Sequence, residues 1–398
     1  DRFINTMKHK IVIVAYSLDI GGVERALLSL LNSFDYRQVD VTLKLARRKG
    51  ELLKQVPEEV CIQEISSINE NWEIFTKPLL PQIRGYLNNL KSIKKGVKLA
   101  YCYVCYKLQG HYHQLFRHIL ESDEDGNYDL AISYAGPSSL LDYYVAKKIK
   151  AHKKTAWVHY DVDKFSLNQK SQSLLYRYFD KIFVVSKSGI EKFNRKFPLI
   201  AHKSEIFHNI IDVTNIRSQS KCDSFILDPE KINILTVGRL SVEKGQAYAI
   251  KAISILVKNG FNVNLILVGG GKCLSDLKKL SKELDVSKYI HFIGETQNPY
   301  PYMAQCDIYL QPSVHEGFCI TLAEAKLFGM PILATDFTGA REQLVNYNNG
   351  FICKLDVNEI AHNLSYIITS ELYKIKNTSS PQLDSDIYKL ENLIYCKQ

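Results

Sequence analysis

Short apolar runs rich in Val and Ile alternate with helix-spaced segments from one end of the chain to the other. "IVIVAY" (11–16) leads through a Gly-Gly turn into "VERALLSLLNSF", whose apolar residues recur at helical spacing. "VDVTLKLA" (39–46), "DLAISYA" (129–135), "TAWVHY" (155–160) and "KIFVVS" (181–186) read as the next strands. None alternates cleanly between apolar and polar residues, as expected of strands buried on both faces of a parallel sheet. A polar stretch, "VTNIRSQSKCDSFILDPE" (213–230), interrupts the rhythm. The pattern then restarts with "INILTVG" (232–238), "VNLILVG" (263–269), "YIHFIG" (289–294), "DIYLQPS" (307–313), "PILAT" (331–335) and "GFICK" (350–354).

This alternation predicts an α/β protein with two doubly wound, Rossmann-like domains facing a cleft. The expected boundaries are 7–212 for the first domain, 213–230 for a linker and 231–370 for the second domain. A C-terminal segment, 371–398, ends in the helix-like "SDIYKLENLIYC", which can join either half. Residues 1–6 precede a Met at position 7 and are set aside. Hydrophobic residues at 46% with 23% charged fit a globular chain rather than a disordered one. No apolar run reaches the roughly 18 residues that span a bilayer, and no leader with a cleavage site is read at the start. Cytoplasmic residence, peripheral to the inner face of the plasma membrane at most, is the expectation. The nine cysteines show no framework spacing, and the C-x-x-C of Cys102 and Cys105 is expected to be incidental.

Charge changes the picture for one half. Of the net +9, residues 1–230 carry +8 and residues 231–398 carry +1. A basic first half suits an anionic partner: nucleic acid, anionic lipid or a phosphorylated substrate. Residues 91–118 hold six Lys/Arg and no acid, with Tyr101, Tyr103, Tyr106, Tyr112 and Phe116 among them. Such a stretch lies on an anionic membrane surface or forms a half-buried helix with a solvated face. No nucleic-acid motif accompanies it.

In doubly wound sheets, ligands bind beyond the carboxyl ends of the strands. After the first strand, Gly21-Gly22 lets the backbone approach an anion, or simply makes a tight turn. "GRLSVEKG" places Arg239 and Lys244 five apart on a loop at a helix start, which suits a diphosphate or a solvated basic loop. "LVGGGKCLSDL" fails both nucleotide fingerprints, because position 266 is Ile, 273 is Cys and 274 is Leu. "WVHYDVD" sets His159 at a strand end, with Asp161 and Asp163 forming a D-x-D that is weak as a metal site. "SVHEGFCITLAEAKLFGMPILAT" carries two carboxylates, Glu316 and Glu324, eight apart. A capping box between Thr321 and Glu324 explains the second but not the first.

Taken together, "VGRLSVEKG", "LVGGG", "FIGE", "QPSVHEGFCITLAEAKLFGMPILATDFTGAREQL" and "NNGFIC", in that order, resemble a GT-B glycosyltransferase of the retaining family four. "GGVERALLSLLN" and "HNIID" (208–212) resemble the same family. The resemblance covers nearly the whole chain and is most specific in the E-x7-E spacing after a strand ending in Pro-Ser. It implies that Glu324 grips a ribose and that Glu316 binds the donor sugar. The resemblance also implies that the amides of Gly317, Phe318, Cys319, Thr321 and Leu322 hold a diphosphate with Arg239 and Lys244. It implies that Gly21-Gly22 closes over the phosphates and that His159 touches the donor sugar. Cys319 departs mildly from the small or aliphatic residues usual there.

The implied function is a retaining, metal-independent transferase using a nucleotide-diphospho-sugar, UDP-linked foremost, with no cofactor. The implied acceptor is a glycan or polyprenyl-linked glycan of surface polysaccharide. A nucleotide-sugar epimerase of the same fold and a non-catalytic sugar-nucleotide-binding protein are the alternatives. Nucleic acid is not expected as a partner.

Overall fold

The computed structural model describes residues 8–123, 126–164, 168–221, 228–375 and 386–395. Two parallel sheets account for the apolar runs. The first contains β1 (His9–Ala15), β2 (Val39–Leu45), β3 (Cys61–Glu64), β4 (Asn127–Ser133), β5 (Lys150–Val158), β6 (Lys181–Val184) and β7 (Ser204–Ile206). Their order is β3-β2-β1-β4-β5-β6-β7. The second contains β8 (Ile232–Val237), β9 (Val263–Val268), β10 (Ile290–Gly294), β11 (Ile308–Gln311), β12 (Ile332–Thr335) and β13 (Gly350–Cys353), ordered β10-β9-β8-β11-β12-β13. In each sheet the order reverses between the first strand and the fourth, β1 beside β4 and β8 beside β11. A doubly wound sheet opens its binding crevice at that switch.

Successive residues of β1 serve opposite faces. Val12 and Val14 join a cluster with Leu99, Phe116 and Tyr176, while Ile11 and Ile13 join one with Leu27, Leu31 and Trp157. Helices cover both faces, which is why the strands read as unbroken apolar runs. β3 and β7 have no counterpart among the predicted runs. Both are edge strands whose sequences, "CIQE" and "SEI", are too short and polar to announce themselves; the open ladders of β2 and β6 make them strands. β5 starts at Lys150, ahead of its predicted run, because its polar half pairs with the start of β4.

The segment expected as a linker begins with a helix, Val213–Gln219. Asp212 caps it, accepting from the Asn215 amide at 3.0 Å. Residues 222–227 of that segment lie outside the described residues. The final helix, Ile387–Tyr395, returns to the first sheet, where Leu390 and Ile394 are buried in the cluster of Ile11 and Leu27. Phe318, Ile320 and Ala323 of the second domain enter the same cluster. The two sheets thus share an apolar seam, and the strand ends that face each other there define the site.

Candidate active site

Side chains alternate along a strand, so Tyr309, Gln311 and Ser313 fall on one side of β11 and its extension. Their polar ends join in series. The Tyr309 hydroxyl donates to Gln311 Oε1 (2.8 Å), Gln311 Nε2 donates to Ser313 Oγ (2.8 Å), and Ser313 Oγ donates to Glu316 Oε1 (2.9 Å). Lys244 Nζ donates to the same Glu316 oxygen at 2.5 Å. Lys244 reaches it because Gly245, in a left-handed conformation (φ 69°), lies flat against β11; a Cβ there would stand 1.9 Å from the Pro312 carbonyl. Burial alone would lower the Lys244 pKa, but the charge and hydrogen bond of Glu316 outweigh it and leave the ammonium group's pKa raised. Arg239, exposed on the same loop after β8, extends this positive rim, and its charge reaches Glu24 of the first domain.

The helix Ile320–Lys326 follows directly. Its N-cap is Cys319, held at φ 67°, and no side chain caps it. The capping box is therefore absent: Thr321 lies inside the first turn, and its Oγ1 faces Gln311 Oε1 at 3.4 Å. Glu324 turns inward instead, 3% exposed, with Oε1 accepting from the Tyr300 hydroxyl at 2.9 Å and Oε2 without a partner among the described residues. Burial raises its pKa against the opposing pull of Arg25 and Tyr300. Arg25, from the helix Gly22–Asn32 of the first domain, donates to the Tyr300 hydroxyl (3.1 Å) and to the Gln297 carbonyl (2.8 Å). A cavity of about 470 Å³ opens beside these groups, lined by Arg25, Asn32, Gln55, Asp212, Tyr300 and Glu324.

Among the described residues the amides of Phe318, Cys319, Ile320 and Thr321 find no acceptor, as expected at a helix start. This leaves those N–H groups open to a ligand, while the Phe318 and Cys319 carbonyls accept from Gln343 Nε2. The Phe318, Cys319 and Leu322 side chains are buried, so backbone is what these residues can offer. Leu322 does not fit the expected phosphate loop, because its amide already donates to the Cys319 carbonyl at 3.1 Å.

Across the seam, β5 ends at Val158 and delivers His159. The ring packs on Tyr134 with centroids 4.6 Å apart and hydrogen-bonds to the Tyr134 backbone. Burial lowers the imidazole pKa to about 3, and Nε2 has no partner among the described residues. Gly317 presses on this residue so closely that a Cβ would lie 1.9 Å from the His159 carbonyl oxygen. Gly22 faces Ile320, whose Cδ1 would be 3.7 Å from a Cβ at that glycine. Of the expected site residues, His159, Gly21, Gly22, Gly317, Glu316, Lys244 and Arg239 gather at this junction. Glu324 sits deeper, facing Tyr300.

Residues 220–379 match the family model of glycosyl transferases group 1. The second domain belongs to that family. A relative from Campylobacter jejuni, N-acetylgalactosamine-N,N'-diacetylbacillosaminyl-diphospho-undecaprenol 4-alpha-N-acetylgalactosaminyltransferase, is 34% identical over 185 residues, 46% of this chain and 49% of that protein. The capsular polysaccharide biosynthesis glycosyltransferase CapM of Staphylococcus aureus is 28% identical over 144 residues, 34% of this chain and 36% of CapM. The chain thus spans about half the length, or less, of these curated relatives. Anabaena HepE, solved with UDP and glucose, has a TM-score of 0.65 at 19% identity, over 94% of both chains. S. aureus TarM, solved as a mutant complex that includes UDP, gives 0.65 at 12% identity, over 98% of this chain and 100% of TarM. At those identities the likeness is one of fold, and the fold is GT-B.

Within this group 1 glycosyl transferase domain and its partner, several site residues were not legible from motif alone. Gln311 and Ser313 had a signal: polar residues at period two within an otherwise apolar buried strand. Arg25 and Tyr300 had none, since neither shows its partner until the domains face each other. The D-x-D pair has other work. Asp161 accepts from Lys192 Nζ (2.6 Å) and Thr338 Oγ1 (2.9 Å), and Asp163 pairs with Arg195 (2.6 Å). Among the described residues, no group of three or more His, Cys, Asp or Glu is placed to hold a metal ion. Cys102 and Cys105 lie on one helix, Ile93–Gln109, as free thiols.

Proposed function

We propose that this chain is a retaining glycosyltransferase that moves a sugar from a nucleotide-diphospho-sugar, a UDP-sugar, onto a glycan or polyprenyl-linked glycan in surface polysaccharide assembly. The observation that carries the reading is the Lys244–Glu316 pair, set by Ser313 at the end of β11 and facing His159 across the Gly317 contact. The relatives support the substrate classes. The Campylobacter protein is named for an undecaprenol-diphosphate-linked acceptor, CapM for capsule synthesis, and HepE was solved with UDP and glucose. A polyprenyl-linked acceptor places the reaction at a membrane face, the cytoplasmic one for a nucleotide-sugar donor.

In this reading the bond between the anomeric carbon and the diphosphate oxygen breaks, and the acceptor oxygen bonds to that carbon on the same face. The acceptor proton passes to the departing phosphate. Arg239, Lys244 and the open amides of Phe318 to Thr321 stabilise the charge that develops there, with no metal ion or other cofactor required. Gly21 and Gly22 let the first domain close over the phosphates. Glu316, fixed through one oxygen by Ser313 and Lys244, offers its other oxygen to the sugar as a hydrogen-bond acceptor and a fixed negative charge beside the electron-poor ring. His159 contributes without charge: a ring N–H spent on the Tyr134 carbonyl leaves Nε2 as an acceptor for a sugar hydroxyl. Glu324, whose Oε2 has no partner among the described residues, takes the ribose diol.

The test is a panel of UDP-, GDP- and ADP-sugars with a polyprenyl-diphosphate-linked glycan, read as nucleotide release and as the anomeric configuration of the product. Glu316→Gln is expected to lower kcat by about 10²–10³-fold while the circular dichroism spectrum stays unchanged. Conversion of donor without acceptor would make the protein an epimerase, and full turnover by Glu316→Gln would remove the assignment.

A further inference from the structure

Between β12 and β13 runs a short segment, residues 336–344, that touches both sides of the junction. Thr338 faces the first domain. Its Oγ1 donates to Asp161 Oδ2 at 2.9 Å, and Lys192 Nζ donates to both of these oxygens at 2.6 Å. Asp161 is buried and stands two residues after His159. Its other carboxylate oxygen accepts from the Asp163 amide at 3.0 Å, which locks the turn that leaves β5. A second hold on the same segment comes from Glu342, which accepts from the Lys187 amide at 2.7 Å.

The opposite side of the segment lies on the loop that follows Glu316. Gly339, in a left-handed conformation (φ 85°), lets the two backbones meet: a Cβ there would be 3.1 Å from the Gly317 carbonyl oxygen and 3.5 Å from Phe318 Cα. Gln343 is buried and donates through Nε2 to the Phe318 carbonyl, and to the Cys319 carbonyl at 3.4 Å. A trans peptide is planar, so its C=O and N–H point in opposite directions. Holding the Phe318 carbonyl therefore aims the Cys319 N–H away from Gln343, and holding the Cys319 carbonyl does the same for the Ile320 N–H. Neither N–H finds an acceptor among the described residues. The hold matters because Cys319 has φ 67°, a left-handed conformation that a side chain disfavours.

We infer that 336–344 is a positioning element for sugar transfer: Gln343 aims the amides that receive the diphosphate, and Thr338 keeps them in register with His159 through Asp161. Thr338 and Gln343 are positioning residues, acting through the backbone and through Asp161 rather than on the donor itself. The link runs in series from the end of β5, through Asp161 and Thr338, along the segment to Gln343, and from there to the Phe318–Cys319 peptide. What the amides bind rests on the transfer reading; the mechanical link does not.

The test compares the full chain with Thr338→Val, Gln343→Met and the double variant. Valine keeps the shape of threonine without the hydroxyl, and methionine keeps the length of glutamine without the amide. Hydrogen exchange read by mass spectrometry needs no substrate. Thr338→Val should speed exchange in the peptide covering 316–322, although the lost hydroxyl bonds to the first domain, with an unchanged melting temperature. In kinetics, Thr338→Val should lower kcat about tenfold with affinity for UDP little changed, and Thr338→Ser should restore turnover. Gln343→Met should weaken UDP binding about fivefold and lower kcat as well. Because both residues act through one segment, the double variant should lose less turnover than the product of the single losses. Three results would each overturn the inference: unchanged exchange at 316–322 in Thr338→Val, wild-type turnover in that variant, or losses that multiply in the double variant. A wild-type chain that releases no nucleotide from any donor would instead overturn the transfer reading, and the exchange result would still decide the link.

Discussion

The two halves of the cleft are built from opposite materials. The second domain, whose sequence balance is only +1, brings the ionised groups: Arg239, and Lys244 bonded to Glu316. Residues 1–230 carry +8, yet beside the Lys244–Glu316 pair the first domain sets a pair of glycines and a buried histidine, and its Arg25 reaches the deeper Tyr300–Glu324 pair instead. Many of its cations lie elsewhere, such as Lys94, Lys95, Lys98 and Lys107, exposed on the helix Ile93–Gln109. Summed charge therefore did not locate the Lys244–Glu316 pair. Charge per domain sets where an anionic partner is attracted over distance; reactivity depends on which few charges are desolvated and aimed.

That division can be broken at its point of contact. Gly317→Ala places a methyl where the His159 carbonyl stands, 1.9 Å from it, so one domain must move away from the other. The charged pair inside the second domain should survive the change, because Lys244, Glu316 and Ser313 all belong to it. Transfer is expected to fall by about 10²-fold, the scale of a 1 Å misplacement of reacting groups, while binding of free UDP changes much less. Steady-state kinetics beside isothermal titration separates the two quantities. Equal losses in both would mean that the first domain shapes the nucleotide site itself.

How much of this was legible in the sequence follows from the same contrast. The strands of the second domain were legible and so was the placement of Glu316, Lys244 and Arg239 near one another, because these residues come from loops a few residues after strands whose apolar runs are unmistakable. Glu324 was found, but its partner was not: the Thr321 capping box is a local pattern, and the observed bond to Tyr300 joins residues 24 positions apart. Arg25 is further still from Tyr300 in the chain and belongs to the other domain. β3 and β7 escaped for a related reason, since an edge strand is decided by its neighbour's open ladder. Local spacing thus reported loops and buried strands well, and it was silent wherever a contact depends on how two domains meet.

Arg25 and Tyr300 offer a second, smaller test of that boundary. Tyr300→Phe removes the donor to Glu324 Oε1 and the acceptor for Arg25, but leaves the ring in place. A hydrogen bond to a charged group contributes about 1.5–3 kcal/mol, of which part is recovered when Glu324 finds its ligand, so the upper bound on the change in donor affinity is about 10- to 150-fold, with kcat little altered. The direction distinguishes two roles. Weaker donor binding means that Tyr300 orients Glu324 for its ligand; tighter binding means that the tyrosine competes with the ligand for that carboxylate.

The smallest expected effect lies where the domains and the final helix join. His208 follows β7, and its Nδ1 meets Asp386 at 2.9 Å while Nε2 meets Glu342 of the second domain at 3.1 Å. Glu342 also accepts from the Lys187 amide at 2.7 Å, and Asp386 pairs with Lys389 at 2.8 Å. The hydrogen bond to Glu342 raises the His208 pKa most, burial opposes it, and Asp386 adds to the rise. With a folded pKa above the ordinary value of about 6.5, the protonated ring stabilises the folded chain. That contribution is complete below the unfolded value and disappears as pH rises through the folded one. The side chain is 34% exposed, which limits the effect to about 0.2–1 kcal/mol. Urea midpoints of wild type and His208→Gln should therefore differ more at pH 6 than at pH 8.5. A pH-independent difference would mean that the ring joins the two domains by shape and neutral hydrogen bonds, as His159 and Gly317 meet by shape.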